Sequence, residues 1–285
     1  MINEKLQKAL YCLNCQGFLK DSGMNLKCTN CSKEYIKSGN SIVFFESKSF
    51  FSKGKVGTDS VIFRIKNYLK RNPKIFKFLY HLIYPPVGKT AKNFVESLPK
   101  ESLIINLGSG VMSIDPRVID IDYMPYPNVS VVADVARLPF RDESLDAVIS
   151  ESLLEHVADP DKVVAEVKRV LRPNGLIYIV TPFMLGFHSS PNDYRRWTTE
   201  GLKELWKGFN PEELGVAFGP TSAMTTLIVE WLAMILSFGS KILYQFLLLF
   251  FMVFLIPINW LDFILARYKF SSNNAMALYF IGRKK

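Results

Sequence analysis

The chain reads as an α/β protein built on a mostly parallel, doubly wound sheet with helices on both faces. A small cysteine-rich module precedes the sheet, and an apolar helical insertion comes before its last strand. Three observations lead there. From about residue 91, short buried-strand runs alternate with helical segments. Four cysteines, all before residue 32, form two close pairs. Residues 221–261 carry only two charges, Glu230 and Lys241.

Composition narrows the classes. Apolar residues make up 49% and charged residues 21% of the 285, which excludes wholesale disorder. Lys plus Arg is 35 against 26 Asp plus Glu, a net +9 that favours an anionic partner. The excess is concentrated: residues 48–77 hold nine cations and one acid, Asp59. The cysteines are too few and too clustered for a disulfide scaffold, and MINEKLQKAL lacks the apolar core of a signal peptide. A cytoplasmic location is therefore expected.

In chain order, residues 1–47 form the small module, with turns at Asp21-Ser22-Gly23 and Ser38-Gly39-Asn40 and a strand at 42–45. Residues 48–90 are a basic connector, helical over 60–84, interrupted at Pro73 and stopped by Pro85-Pro86. The main domain, 91–285, has strands expected at 103–107, 118–122, 129–134, 145–150 and 176–180. An amphipathic helix over 161–171 closes on Arg172-Pro173-Asn174-Gly175 as a helix stop. Two later strands, 214–218 and 277–281, flank the insertion at 221–272.

Cys12-x-x-Cys15 and Cys28-x-x-Cys31 are twelve residues apart. A two-residue gap lets both thiolates of a pair reach one metal, and two pairs complete a tetrahedral four-sulfur site. The expectation is a zinc ribbon, in which a structural Zn2+ stabilises a module too small for its own core.

Gly108-Ser109-Gly110 follows the first strand, where glycines let backbone approach a ligand at the carboxyl end of the sheet. Position 113 is Ser, so no dinucleotide fingerprint is completed. Asp122 ends the second strand, where an acid can accept both hydroxyls of a ribose. Asp134 ends the third, with Leu138-Pro139-Phe140 as an apolar wall suited to an adenine ring.

The segments IINLGSG, VIDIDY and VVADVARLPFRDESLDAVISESLLEHVADPDKVVAEVKRVLRPNGLIYIVTP together resemble a class I S-adenosylmethionine-dependent methyltransferase of the type 11 kind. The resemblance covers about residues 103–207. It implies a Rossmann-like fold and S-adenosylmethionine as cofactor. By it, Gly108 and Gly110 line the methionine moiety, Asp122 holds the ribose, and Asp134 with Val135 meets the adenine. Ser150 and Glu151 sit at the substrate mouth. Asn106, expected beside the cofactor where it can still hydrogen-bond, stands where the family usually has an acid, and only eleven residues separate Gly110 from Asp122, so the first crossover helix is nearly absent.

The loop after the fifth strand, 183–198, is dense in reactive groups. His188 is a candidate general base, Asp193 its orienter, and Tyr194 and Arg196 candidate acceptor-binding groups. Asp193-Tyr194-Arg195 is equally a helix cap, and His156 reads first as a packing histidine. In the insertion, residues 242–261 are twenty residues without charge, enough to cross a bilayer. If 214–218 and 277–281 pair antiparallel, both ends of the insertion lie on one side of a membrane. A hairpin, an in-plane helix and a helical pair buried on the protein remain open. The basic stretch 60–84 mixes apolar and cationic residues in the manner of an anionic-membrane binder. The expected acceptor is a lipid or lipid-linked glycan at the cytosolic membrane face. The alternatives are an RNA base methyltransferase, with nucleic acid as partner, and a non-catalytic zinc-ribbon scaffold.

Overall fold

A computed structural model describes residues 4–45, 64–65, 68–188 and 192–285. An eleven-stranded sheet runs through it in the order β1-β2-β3-β4-β7-β6-β5-β8-β9-β11-β10. Its centre is parallel: β7 (Val131–Val132), β6 (Val118–Asp122), β5 (Ile104–Leu107), β8 (Leu145–Glu151) and β9 (Leu171–Pro182). Strand β11 (Ala277–Lys284) lies between β9 and β10 (Phe209–Phe218), antiparallel to both, as the sequence pattern implies. Strand order reverses at β5, so the crevice for a ligand opens at the carboxyl ends of β5 and β8.

Apolar clusters cover both faces. One holds Phe94, Val95, Ile104, Ala147 and Tyr178, under helix α3 (Ala91–Ser97). The other holds Ile105, Leu107, Val148, Val163, Val167 and Trp206, under α4 (Pro160–Val170) and α5 (Thr199–Leu205). The continuous Val/Ile runs of β5 and β8 suit strands buried on both sides. No helix joins β5 to β6 among the described residues.

Strands β1 (Leu19–Asp21), β2 (Asn25–Cys28), β3 (Glu34–Ser38) and β4 (Ser41–Val43) form an antiparallel meander behind α1 (Glu4–Ala9). The strand expected at 42–45 joins the main sheet: Ile42 pairs with Val131 and Val43 with Val132, in parallel. The module shares the larger core through Leu10, Leu26, Tyr35 and Ile42. Leu138 and Phe140 are fully buried there, and Phe140 bridges Leu10. They carry the N-terminal module and are not an open adenine wall.

Two boundaries differ from the sequence reading. The third strand is short, Val131–Val132. The RPNG segment does follow the end of α4 at Val170, but it bulges within β9: Leu145 pairs with Leu171 and Ala147 already with Leu176. Asn174, at φ 63, supplies the left-handed turn. In the connector, helix α2 (Pro73–Ile83) starts with Pro at its first turn and Asn72 as cap. Residues 60–63 and 66–67 of the expected helix lie outside the described residues.

The insertion is a helical hairpin, α6 (Pro220–Leu236) and α7 (Lys241–Asn259), followed by short α8 (Asp262–Leu265). Phe238 and Gly239 take positive φ at the turn, and Ser240 caps α7. The hairpin buries small and polar residues. Residues buried in α6 are Thr221, Ser222, Ala223, Thr225, Val229 and Ala233, and those buried in α7 are Gln245 and Asn259. Outside, Trp231 is 55%, Ile242 84%, Phe246 61% and Phe254 64% exposed. Gly219 gives α6 no side-chain cap; buried Asp262 does so instead, accepting from the N–H groups of Thr221 (2.7 Å) and Ser222 (2.9 Å) and from the Ser222 hydroxyl (2.7 Å). A Cβ at Gly219 would collide with that carboxylate. Asn259 accepts from Thr225 at 2.5 Å and donates to the Ile83 carbonyl at 2.7 Å, tying the hairpin to α2.

Candidate active site

At the end of β5 the chain turns through Gly108 (φ +69) and Gly110 (φ +56). At Gly108 space also excludes a side chain, since a Cβ would come 2.8 Å from Leu153. Above Gly110 nothing lies within 4 Å of that position, so the turn leaves open room at the crevice. Asp122 holds the turn: one carboxylate oxygen accepts from the Gly110 N–H and the other from the Met124 N–H, both at 2.8 Å. Each oxygen keeps a further lone pair for a hydroxyl donor. Burial pushes the Asp122 carboxyl above its usual range.

Asn106 does not face that room freely. It is buried, and its amide donates to Asp120 at 3.0 Å. Ser113 and Asn128 also donate to Asp120. Asp120 is 2% exposed, and desolvation raises its pKa although all three donors favour the anion. Sequence reasoning missed this residue. Its signal was an acid in mid-strand within an apolar run.

Asp134 is exposed; its side chain accepts from the Ala136 N–H at 2.9 Å in a local turn. Val135 is half-buried against the core. The Ala133 N–H donates to the Asp122 carbonyl at 3.1 Å, which brings the two acid-bearing loops together. Across the crevice, at the end of β8, Ser150 is buried with no hydrogen-bond partner for its hydroxyl. Glu151 beside it is solvent-accessible, yet surrounding protein desolvates its carboxyl and pushes it up to about 7, opposed by Lys77 of α2.

The loop after β9 folds back onto the short helix Leu154–His156. The Tyr194 N–H donates to the Glu155 carbonyl at 2.7 Å, while the Tyr194 ring is exposed. Asp193 is engaged by Arg196 at 2.5 and 2.7 Å and accepts from the His188 N–H at 2.8 Å. The Arg196 guanidinium holds its carboxyl down at about 2. The His188 ring reaches Asp193 only at 3.5 Å, and it faces the buried Glu155 at 3.7 Å. Residues 189–191 of this loop lie outside the described residues. Thr198 caps α5 by accepting from the Gly201 N–H, so the cap belongs to Thr198 rather than Asp193.

In the N-terminal module all four cysteine sulfurs lie within 4.8 Å of one another, with Cys15–Cys28 at 3.4 Å and Cys12–Cys31 at 3.6 Å. A tetrahedral zinc with bonds of about 2.3 Å separates its sulfurs by about 3.8 Å, so the donor set fits such an ion. Gln16 and Ser32, each following the second cysteine of its pair, both take φ 59, which wraps the chain around the cluster.

Residues 106–179 match the family described as Methyltransferase domain. The chain is 26% identical over 166 residues to a tRNA (carboxymethyluridine(34)-5-O)-methyltransferase of Arabidopsis thaliana, covering 47% of this chain and 41% of the relative. It is 32% identical over 128 residues to a protein of Mycolicibacterium smegmatis named as a probable S-adenosylmethionine-dependent methyltransferase, covering 38% and 50%. The chain thus spans half or less of the length of these curated relatives. Among solved structures, Haemonchus contortus phosphoethanolamine N-methyltransferase 2 aligns at TM-score 0.44 and 18% identity, over 77% of this chain and 59% of that one. The family match and these relatives support a methyltransferase domain over residues 106–179.

Proposed function

We propose that the protein transfers a methyl group from S-adenosylmethionine to a lipid or lipid-linked glycan acceptor at an anionic membrane surface. The cofactor supplies an activated methyl carbon. Gly108 and Gly110 give it room, Asp122 and Asp134 supply acceptors for ribose hydroxyls and an adenine amino group, and the unpartnered Ser150 hydroxyl and Glu151 face its reacting end. The four-cysteine cluster (Cys12, Cys15, Cys28, Cys31) holds a structural zinc. His188 and Tyr194 edge the acceptor side, with Asp193 and Arg196 positioning the loop.

The observation that carries the membrane reading is the inside-out hairpin. Helix α7 is the one described helix long and apolar enough to span a bilayer, with 11% of its apolar window buried. An exposed apolar surface of this extent marks a lipid or partner contact. It adjoins the acceptor side: a cavity of about 430 Å³ is lined by Met184 of the substrate loop and by Pro220, Leu227, Ile258 and Leu261. Cationic α2 packs on the same hairpin through the Leu82 and Ile83 carbonyls.

The test is methyl-labelled S-adenosylmethionine in cell lysate, with lipid, RNA and protein fractions counted for wild type, Asp122→Ala and Asp134→Ala. Label in lipid, lost in both variants, supports the reading. RNA is the second reading, favoured by the +9 charge and by the tRNA-modifying relative. Label in RNA, with binding that weakens steeply as salt rises, would replace the lipid acceptor by it.

A further inference from the structure

The loop after β9 and the short helix after β8 bring together three metal-ligating groups that the proposed transfer does not use as a set. Glu155 is 0% exposed, and neither of its carboxylate oxygens has a hydrogen-bond partner. A carboxylate buried without a partner is costly, and metal coordination is one of the few arrangements that offsets the cost. Two imidazoles face it: His188 Nε2 at 3.7 Å and His156 Nε2 at 3.9 Å from the same oxygen. The three donor atoms lie within 4.8 Å of one another.

We propose that Glu155, His156 and His188 bind a divalent transition-metal ion of the zinc class, separate from the cysteine cluster. The donor set is two neutral imidazoles and one carboxylate, a combination that leaves a fourth position open. A tetrahedral ion with bonds of about 2.0–2.1 Å separates its donors by about 3.4 Å; the two Glu155–histidine distances exceed that by a few tenths of an ångström. The surrounding contacts prepare the site. His156 Nδ1 lies 2.5 Å from the Asn192 carbonyl, which fixes the proton on Nδ1 and leaves the Nε2 lone pair toward Glu155. His188 Nδ1 lies 3.4 Å from the Arg196 guanidinium, which can only donate, and 3.5 Å from the Asp193 carboxylate, so ligation through Nε2 requires the ring proton to move to Nδ1, where Asp193 is the acceptor within reach. The His188 side chain is 37% exposed, so the open position faces solvent and takes water or an oxygen of a bound molecule. The ion clamps the loop over the end of β8 whatever the methyl acceptor is.

The experiment is metal stoichiometry and X-ray absorption on the full chain loaded with Zn2+, with folding followed by circular dichroism. Wild type is expected to take a second equivalent beyond that of the cysteines, with a nitrogen/oxygen shell at about 2.0–2.1 Å and no sulfur. Glu155→Gln and His188→Ala remove that equivalent and leave the sulfur-bound one; Asp193→Asn weakens it about tenfold or more. His188→Ala sits on a loop and keeps the test decisive if the Glu155 variant fails to fold. Zinc held by sulfur alone in wild type, or a second equivalent that persists in His188→Ala, overturns the proposal.

Discussion

The central sheet and the α6–α7 hairpin are packed on opposite plans. Strands β5 and β8 bury Ile104, Ile105, Val148 and Ile149 completely, and the sheet turns polar at its carboxyl ends, where Asp122 and Ser150 flank the crevice. The hairpin buries Thr225, Gln245 and Asn259 beside the small Ala223, Val229 and Ala233, and presents Trp231, Phe246, Val253 and Phe254 outward. In water the first plan is driven by apolar burial and the second works against it. Two parts of one chain thus present opposite surfaces, and they meet along the loop after β9, where Gly186 lies close against Glu230 of α6.

Four substitutions put this contrast at risk. Ile105→Ala should cost about 3 kcal/mol in denaturant unfolding, because a fully buried strand residue leaves a cavity. A near-zero cost would mean that the sheet is not the stability core. Asp262→Ala should cost about 2 kcal/mol, because it leaves buried N–H groups at the start of α6 unpaired. Hydrogen exchange should localise that loss to α6 and spare β5. At the junction, Glu151 sets a pH trend. Its carboxyl is raised from 4.5 to about 7, so the folded state binds more protons than the unfolded one between those values. Its contribution to stability is therefore lost as pH rises from 4.5 through about 7. Denaturation midpoints of wild type and Glu151→Gln should diverge over that window, with the variant less sensitive to pH. Phe254→Ala should change stability by less than about 0.5 kcal/mol, as for a surface site, yet lower co-flotation with vesicles containing anionic lipid. A loss like that of Ile105→Ala would show that α7 is buried against protein.

The sheet was legible because its strands are uninterrupted apolar runs ending in turn residues, as at IINLGSG and LDAVISE. The last two strands, 214–218 and 277–281, were legible for the same reason. What escaped depended on partners far away in sequence. Glu155 and His188 are separated by a whole strand and loop, and Asp262 caps a helix forty-one residues before it. No periodicity links such pairs. Asp120 was the nearer miss: an acid inside VIDID has to be satisfied from within, and Asn106, Ser113 and Asn128 do so. Asn106, expected beside the cofactor, is thereby engaged under the turn. The adenine wall expected of Leu138 and Phe140 failed because the same apolar character made them the docking site for Leu10.

The pairing of β4 with β7 has a consequence for solubility. Strand β7 has two residues and would otherwise leave an open parallel edge at the side of the sheet. The meander closes that edge and ends the sheet at β1, three residues long, with Lys20 and Asp21 exposed. The meander thus guards against edge-to-edge polymerisation. If the cysteines hold the proposed zinc, a chain stripped of it should fail first by strand addition between copies, before the central strands themselves come apart.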